Sequence, residues 1–396
     1  MATEAIGIIP DTRFVPLAWR NLVANKRRLI RSSAGIGFAV LLMLVQLGFE
    51  RGFFDASLGA IRQLDGDLFV MRATKYRFGD EDPFPRRDLD AARNVAGIAS
   101  IVPLYASWQG LFWKDPYGDK SYLIQAFAFD PEHPPFLLSE INEQRDKLKQ
   151  QDAVLVDRRA RPFLGMSGNA TETEINGRAV HIAGTFALGP DFMSNGTVMM
   201  SEQTFAGVLT GNREGATATA LPIEFGIVKV QPGTDMAATR QALASALPKD
   251  VRVLTKPQLI EFETAFQADL SSAGPIFWMG TLVGFIVGML ISYQVIYTDL
   301  ADQLPQYATL KGMGYNTGYL IRVVFEQAAL SAVIAFVPAW LLCLLVYYVI
   351  GILALLPLHM TLSLTLLSLA LTVGMCLLAA ALAIRRVLRV DPAEVF

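Results

Sequence analysis

The residues that could perform catalysis or hold a cofactor are few and scattered along the 396-residue chain. The phosphate-cradling spacing G-x-x-x-x-G-K-[ST] does not occur in the sequence. Ser167 stands in Gly-Met-Ser-Gly and lacks the G-x-S-x-G spacing of a nucleophile elbow. The three histidines, His133, His181 and His359, are far apart and stand at no metal-ligand spacing with cysteine or carboxylate. We therefore expect neither an enzyme nor a metal or cofactor site on this chain.

Two smaller groups have both a chemical and a structural interpretation. The acidic run Asp80, Glu81 and Asp82 could hold a cation, but a solvated loop is the more common use of such a run. Cys343 and Cys376 lie in apolar stretches, where small packing side chains are expected, and two cysteines exclude a disulfide-built scaffold. A formal net charge of −2 gives no indication of nucleic-acid binding.

The secondary-structure elements that position these residues can be predicted from long stretches of the sequence that contain no charged residue. Only 18% of the residues are charged, against about 25% in an average soluble domain, and 53% are hydrophobic. Residues 32–49, 270–298 and 327–384 form runs of 18, 29 and 58 residues without Asp, Glu, Lys or Arg. A membrane-spanning helix needs about 20 mostly apolar residues. Because the longest run breaks near Pro357, we predict four spans, at 32–50, 276–298, 325–350 and 361–384.

The flanking charges predict the orientation of these spans. Residues 1–31 carry six basic and two acidic residues, and the tail 385–396 carries three arginines. The positive-inside rule then puts both termini in the cytoplasm of a multi-pass inner-membrane protein. Residues 1–31 are expected to form an amphipathic helix whose basic side chains face lipid phosphates. These interfacial residues are Arg20, Lys26, Arg27, Arg28 and Arg31.

The block between the first two spans is predicted to be an exported α+β domain on a helical stalk. Residues 51–274 hold 23 basic and 28 acidic residues, a polarity typical of a water-exposed domain. Apolar residues at helical spacing predict stalk helices at 51–66 and 257–275 around a core domain at 67–256. Their apolar stripes could pack within one chain or against a second copy.

Inside the core domain, three patterns predict local structure. Residues 67–72 and 153–157 are short apolar runs typical of strands, and Asn176-Gly177 predicts a tight hairpin. Residues 225–255 predict a strand, a helix and a strand in a β-α-β unit. The proline-rich and then charged segment 131–150 is interpreted as a linker or insertion.

The segment 299–324 between the second and third spans is expected to lie in the cytoplasm. It contains a predicted helix of about two turns, 305–311, bounded by Gly312 and Gly314. Such a segment could dock a soluble partner, although a plain connecting loop would look the same.

The order of these elements resembles the FtsX-like permeases of MacB-type ABC transporters. Four stretches carry the resemblance: 17–37 with its basic lead-in, 152–184 in the exported domain, the cytoplasmic run YATLKGMGY at 307–315, and the C-terminal stretch 385–395. Residues 304–311, LPQYATLK, are most similar to the DevC branch, the permease of DevBCA-type exporters. Many other members carry an acidic residue and Ile-Gly within this segment.

The resemblance implies a homodimeric permease that works by mechanotransmission. ATP and Mg²⁺ would bind to a separate, DevA-like ATPase, and a DevB-like periplasmic adaptor and a TolC-like outer-membrane duct would complete a tripartite exporter of a lipid, glycolipid or other amphiphile. The implied ATPase-coupling residues are Pro305, Tyr307, Leu310, Lys311, Gly312, Met313 and Gly314. The implied C-terminal signature is Asp391, Pro392 and Glu394. The alternative is an FtsX-like regulatory membrane protein that controls a periplasmic enzyme.

Overall fold

Within the part of the chain that the structure describes, four helices are long and apolar enough to cross a membrane. They cover Leu29–Ser57, Gly274–Asp302, Thr317–Leu353 and Leu362–Ile384. A hydrocarbon core of about 30 Å requires about 20 apolar helical residues, so each helix suffices for one span. The prediction of four transmembrane helices with an α+β domain between the first two is confirmed.

A computed structural model describes residues 26–189, 194–210, 218–271, 273–354 and 358–388. They fall into two compact units. The membrane unit lies within Met1–Gly48, Trp278–Val346 and Met360–Phe396, and the exported unit within Phe49–Phe277 and Tyr347–His359. The predicted amphipathic helix before residue 26 and the tail from residue 389 lie outside the described residues.

The regular elements of the described residues are ten α-helices and nine strands. The helices are α1 (Lys26–Ser57), α2 (Gly59–Gln63), α3 (Ser139–Gln144), α4 (Glu202–Thr210), α5 (Met236–Ala246), α6 (Lys256–Ala265), α7 (Ala273–Asp302), α8 (Leu304–Gly312), α9 (Thr317–Ala354) and α10 (Leu362–Leu388). The strands are β1 (Leu68–Arg72), β2 (Ile98–Lys114), β3 (Ser121–Phe129), β4 (Ala153–Asp157), β5 (Glu172–Ile175), β6 (Arg178–Phe186), β7 (Thr197–Ser201), β8 (Phe225–Val230) and β9 (Val251–Thr255).

In the membrane unit, α1 and α7 approach closely along a row of glycines. Gly280, Gly284 and Gly288 of α7 recur every four residues and therefore share one helix face. A Cβ on each would lie, in that order, 2.5 Å from Nε2 of Gln46, 3.1 Å from Cγ of Met43 and 3.0 Å from Cβ of Ala39. Small residues at such an interface bring the backbones together, which strengthens dispersion contacts where lipid gives no hydrophobic driving force.

Two polar contacts join different spans of the membrane unit. The Trp340 indole nitrogen of α9 donates a hydrogen bond to Oγ1 of Thr365 of α10 at 3.2 Å. Ser292 Oγ of α7 lies 3.6 Å from Cys376 Sγ of α10. Cys343 and Cys376 are both buried in the membrane unit, as expected of small packing side chains.

The exported unit is built on one long strand shared by two sheets. Residues 98–104 of β2 pair with β8, and residues 105–114 pair with β3. Strands β2, β3, β7, β4, β6 and β5 form a closed ring, while β8, β1 and β9 extend from β2 as an open sheet. Successive side chains of β1 therefore enter different cores: Leu68 and Val70 lie in one cluster, Phe69 and Met71 in the other.

Two local predictions in this unit are confirmed. β5 and β6 form an antiparallel hairpin, and Asn176 and Gly177 in its turn have φ of 51° and 77°. Both angles are positive, as the two-residue turn requires. The predicted β-α-β unit is β8, α5 and β9; these strands do not pair with each other, because β1 lies antiparallel between them.

The interpretation of 131–150 as a linker is wrong. Phe136, Ile141 and Leu148 of this segment are fully or almost fully buried in the same core cluster as Phe127 and Leu155. The prolines break regular structure only at the start of the segment, and apolar residues among the charges then anchor it. The charged pattern comes from the exposed side of α3 and of the 3₁₀ turn Arg145–Lys149.

The apolar stripes next to the first two spans pack within one chain. Leu58, Ile61 and Leu64 after α1, and Leu259 of α6, are buried in the cluster that contains Phe69 and Phe127. Within the described residues, these side chains are therefore covered by the exported domain itself. Of the two alternatives for the stripes, intrachain packing accounts for these four residues.

The glycine row generates a stability prediction. We expect Gly288→Leu to lower the free energy of unfolding by about 1–3 kcal/mol, because the new side chain meets Ala39 and Met375 in a close-packed interface. The measurement is thermal unfolding of the full chain in detergent.

Gly374→Leu in α10 is the matched control, because a Cβ on Gly374 would meet nothing within 4 Å. Equal losses in the two variants would contradict the assignment of the glycine row as the packing surface.

Candidate functional site

The predicted docking helix between the second and third spans is α8, Leu304–Gly312. Tyr307 points inward and is 3% exposed, and its hydroxyl donates a hydrogen bond to Oε1 of Gln303, itself buried, at 3.3 Å. Pro305 and Gly312 are exposed, and Leu310 is half-buried. The predicted coupling residues therefore divide into an anchor, Tyr307, and a surface that faces away from the bundle.

A rigid turn follows α8 and presents Met313. Gly314 has φ of +93°, and the Tyr315 amide donates to the Leu310 carbonyl at 3.1 Å, which closes the helix in the manner of a Schellman motif. Asn316 then caps α9, because its Oδ1 accepts from the Gly318 amide at 3.2 Å. Met313 is 63% exposed between these two fixed points.

The other predicted site residues are only partly within the described residues. Lys26, Arg27 and Arg31 are exposed at the start of α1, and Arg31 Nε donates to the Arg27 carbonyl at 3.4 Å. Positions whose backbone or side chain lies outside the description are Arg20, Arg28, Lys311, Asp391, Pro392 and Glu394. The described structure thus brings together the predicted residues of α8.

A second functional candidate, not predicted from the sequence, is a junction where two helices enter the exported domain. Lys256 at the start of α6 donates through Nζ to the carbonyls of Arg62 and Leu64, at 2.9 and 2.8 Å. These carbonyls end α2, so one ammonium group joins the chain leaving the first span to the chain approaching the second. Burial lowers the pKa of Lys256, although nearby Asp65 and Asp67 oppose the shift. We call this contact the lysine clasp.

The capping of α6 fixes where the lysine clasp forms. Thr255 Oγ1 accepts from the Gln258 amide at 3.4 Å, and the Thr255 amide donates to Gln258 Oε1 at 3.0 Å. This reciprocal pair is a capping box, readable in the sequence as Thr-x-x-Gln. It places Lys256 at the first position of the helix.

Two turns after Lys256, α6 holds the body of the domain through a buried carboxylate. Glu263 is 3% exposed; one oxygen accepts from the Phe78 amide at 2.6 Å, and the other from Gln267 Nε2 at 2.9 Å. Burial raises the pKa of Glu263, because it penalises the charged form more than these two hydrogen bonds favour it. The segment around Phe78 is thereby tied to α6.

The segment around Phe78 also contains Lys75, one partner of a buried ion pair. Lys75 is 2% exposed; its ammonium group bonds to the Glu224 carboxylate and donates to the Asp80 carbonyl at 2.5 Å. It also lies 4.6 Å from the ring centre of Phe225 and 5.4 Å from that of Trp108. Burial lowers the pKa of Lys75 and raises that of Glu224, so each charge depends on its partner.

The acidic run 80–82 is used by the chain itself. Asp80 accepts from the Arg77 amide and from Arg77 Nε, at 3.2 and 2.8 Å. Glu81 Oε1 accepts from the amides of Trp108 and Gln109, at 2.8 and 2.9 Å. Within the described residues, no group of His, Cys, Asp or Glu is arranged to hold a metal ion. The carboxylates thus order the 75–82 loop against β2.

Glu263 generates a pH-dependent prediction. A carboxyl group whose pKa is higher in the folded than in the unfolded chain costs stability at high pH, and the cost fades as pH falls through the folded pKa. Glu263→Gln removes the buried charge and keeps the Phe78 bond, since Gln267 can rotate its amide. We expect this variant to melt at a higher temperature than the parent at pH 8, with the gain shrinking towards pH 5.

Glu261→Gln is the matched control, because Glu261 is an exposed glutamate of the same helix. Thermal unfolding of both variants across this pH range checks the prediction. A gain for Glu263→Gln that is independent of pH would contradict it.

Comparisons with known proteins bear on both parts of the chain. A family model of the MacB-like periplasmic core domain matches residues 32–246, and a model of the FtsX-like permease C-terminal matches residues 278–392. No curated protein matches the chain. Among solved structures, it is similar to the extracellular domain of the noncanonic ABC-type transporter YknZ from Gram-positive bacteria. The identity is 11% and the TM-score 0.32, over 48% of this chain and 99% of that chain.

The two family models follow one another along the chain in the order that the fold shows. The first covers the exported α+β domain up to α5, and the second begins in α7 and includes α8, α9 and α10. Because the core-domain model alone matches more than half of the 396 residues, the chain belongs to the MacB/FtsX-type permeases, the membrane components of ABC systems.

Proposed function

We propose that the chain is the membrane subunit of a tripartite ABC exporter, driven by a separate ATPase that binds ATP and Mg²⁺. The observation that carries the proposal is α8. It is a short helix between two spans, anchored by the buried Tyr307 and closed by the Gly314 turn, with Met313 exposed at its end. A fixed helix with an apolar tip is suited to transmit a force as well as to bind a partner.

The position of α8 supports its role in coupling. Only Gln303 separates it from α7, and four residues separate it from α9. A displacement of α8 by the ATPase therefore acts directly on the second and third spans. The ATPase contacts Pro305, Gly312, Met313 and Gly314 in this proposal, while Tyr307 holds the helix to its own bundle.

Transmission without a channel fits the chemistry of the spans. The central parts of the four spans contain no Asp, Glu, Lys or Arg, and pathways for ions or protons usually need such residues. In our proposal, ATP binding brings the cytoplasmic segments together, and α1 and α7 carry that change outward. The lysine clasp then passes motion between the two entering segments of the exported domain. Substrate enters from the periplasm or the outer leaflet.

The finer identity of the exporter rests on the sequence resemblance. Residues 304–311, LPQYATLK, favour the DevC branch, which implies a homodimer in the inner membrane with both termini in the cytoplasm. It also implies a DevA-like ATPase, a DevB-like adaptor, a TolC-like outer-membrane duct and an amphiphilic cargo such as a glycolipid. Lipids that co-purify with the assembled complex, identified by mass spectrometry, test the cargo.

Met313→Asp tests the ATPase contact. A carboxylate at the exposed apolar tip would be desolvated on docking without a partner, a cost of several kcal/mol before any compensation. We expect at least a tenfold loss of nucleotide-dependent co-purification with the ATPase encoded beside this chain, and loss of ATPase stimulation. The parent complex in detergent provides the reference.

Met236→Asp is the matched control, because Met236 is an exposed methionine at the start of α5 in the exported domain. It should leave both readouts unchanged. Wild-type stimulation by the Met313→Asp variant would overturn the proposed docking surface.

A further inference from the structure

A cavity of about 230 Å³ lies in the exported unit beside the end of α1. We call it the stalk cavity. It equals the liquid volume of about eight water molecules, which suits a small polar group. Residues from seven parts of the unit line it, among them Ser57, Arg62, Phe78, Trp108, Gln125 and Arg159.

One lining residue of the stalk cavity has a buried acceptor without a donor. Gln125 of β3 is 4% exposed, and its Nε2 donates to Thr197 Oγ1 at 2.9 Å. Its Oε1 has no hydrogen-bond partner among the described residues. Buried amide oxygens are nearly always hydrogen-bonded, so a donor from outside the described chain is expected at this wall.

An arginine side chain lies on another wall. The guanidinium group of Arg159 packs over Gly189: a Cβ on that glycine would lie 3.7 Å from Arg159 Cζ. The buried Asp157 carboxylate holds both backbones in place, because it accepts from the Arg159 amide at 2.9 Å and from the Gly189 amide at 2.6 Å. Burial raises the pKa of Asp157, and these amides oppose the shift. Arg159 thus offers a positioned donor for an anion.

The wall of the cavity that α1 forms is close along the helix to the end of the first span. Ser57 comes seven residues after Glu50, the first charged residue beyond the first span, which corresponds to about 10 Å along a helix. The polar head-group layer is about 5–8 Å thick on each side of the hydrocarbon core. Phe78 and Trp108, with ring centres 5.5 Å apart, add an aromatic wall. The α1 wall of the cavity therefore begins about 10 Å beyond the first charged residue that follows the first span, which favours a lipid as the ligand.

We propose that the stalk cavity binds the head group of a phospholipid whose phosphate carries a neighbouring N–H or O–H donor, as ethanolamine and glycerol head groups do. The phosphate pairs with Arg159, and the ammonium or hydroxyl group donates to Gln125 Oε1. A choline head group has the phosphate but no such donor, because its nitrogen is fully methylated. Equilibrium binding by the chain alone does not require the ATPase, so this inference stands or falls separately from the exporter proposal.

Binding of short-chain lipids to the detergent-solubilised full chain tests this inference. The probes are dihexanoyl-phosphatidylethanolamine, dihexanoyl-phosphatidylglycerol, dihexanoyl-phosphatidylcholine and dihexanoylglycerol, followed by tryptophan fluorescence. Trp108→Phe identifies the signal that arises in the cavity. We expect the ethanolamine and glycerol lipids to bind about tenfold more tightly than the choline lipid, as one hydrogen bond to an otherwise unpaired group allows. Dihexanoylglycerol, which lacks the phosphate, should bind more weakly still.

Two variants assign the interactions. Arg159→Ala should weaken binding of the ethanolamine lipid at least tenfold, whereas Arg158→Ala should change its affinity less than twofold. Arg158 is the neighbouring exposed arginine, bonded to Glu140 at 2.6 Å and not part of the cavity wall. Gln125→Leu should reduce the preference for ethanolamine over choline to less than twofold while leaving binding of the choline lipid unchanged.

Three outcomes would overturn the inference. Equal binding of ethanolamine and choline lipids by the parent chain would mean that only water serves Gln125. Equal effects of Arg158→Ala and Arg159→Ala on lipid binding would contradict the assignment of Arg159 as the group that binds the phosphate. If glycerophosphoethanolamine, which lacks acyl chains, binds as tightly as the lipid, the ligand is a soluble phosphate ester and not a membrane lipid. Near-UV circular dichroism confirms folding of Gln125→Leu, and Arg159 is exposed, so its variant does not disturb a core.

Discussion

The close approach of α1 and α7 is the contact on which the membrane unit depends. In hydrocarbon, helices gain nothing from hiding apolar side chains from each other, so close packing must hold them, together with hydrogen bonds between helices. Gly280, Gly284 and Gly288 supply that shape by removing side chains on one face of α7, and Gly35 of α1 does the same where a Cβ would lie 3.0 Å from Ile291. Four contacts at spacings of three or four residues fix the register of two antiparallel helices. A register slip would bring side chains onto the glycine row.

In the exported unit, the two segments that continue towards these same spans are joined by different chemistry. In the lysine clasp, one ammonium group donates to two carbonyls at the C-terminal end of α2. A helix terminus leaves such carbonyls without intrahelical partners. Glu263 and the Lys75–Glu224 pair then connect α6 and the open sheet to the loop around Phe78. Each of these buried charges is costly alone and is retained with a specific partner. The junction is therefore geometrically specific, which a domain that must transmit motion requires.

Sequence reasoning reached the elements whose signals are local. Charge-free runs of sufficient length predicted the spans, Asn176-Gly177 predicted the hairpin, and the 225–255 pattern predicted β8, α5 and β9. It failed where partners are distant in the chain. Lys256 bonds to carbonyls nearly 200 positions away, and Glu263 bonds to an amide 185 positions away, so nothing nearby distinguishes them from solvated surface charges. Segment 131–150 was misjudged for the same reason, because Phe136 is buried by residues from other strands. The capping box at Thr255 and the four-residue glycine spacing are further local signals that the sequence carries.

The buried hydrogen-bond acceptors of the exported unit differ in whether the chain itself supplies their donors. Asp80, Glu81 and Asp157 each accept two or three hydrogen bonds from the chain's own amides, so carboxylates that resemble a cation site in sequence are already occupied. Gln125 Oε1 and Glu140 Oε2 are buried acceptors of this unit that have no partner among the described residues, and Gln125 lines a cavity that Arg159 also lines. A donor that arrives from outside the chain would satisfy Gln125 Oε1, and in our proposal a lipid head group supplies it.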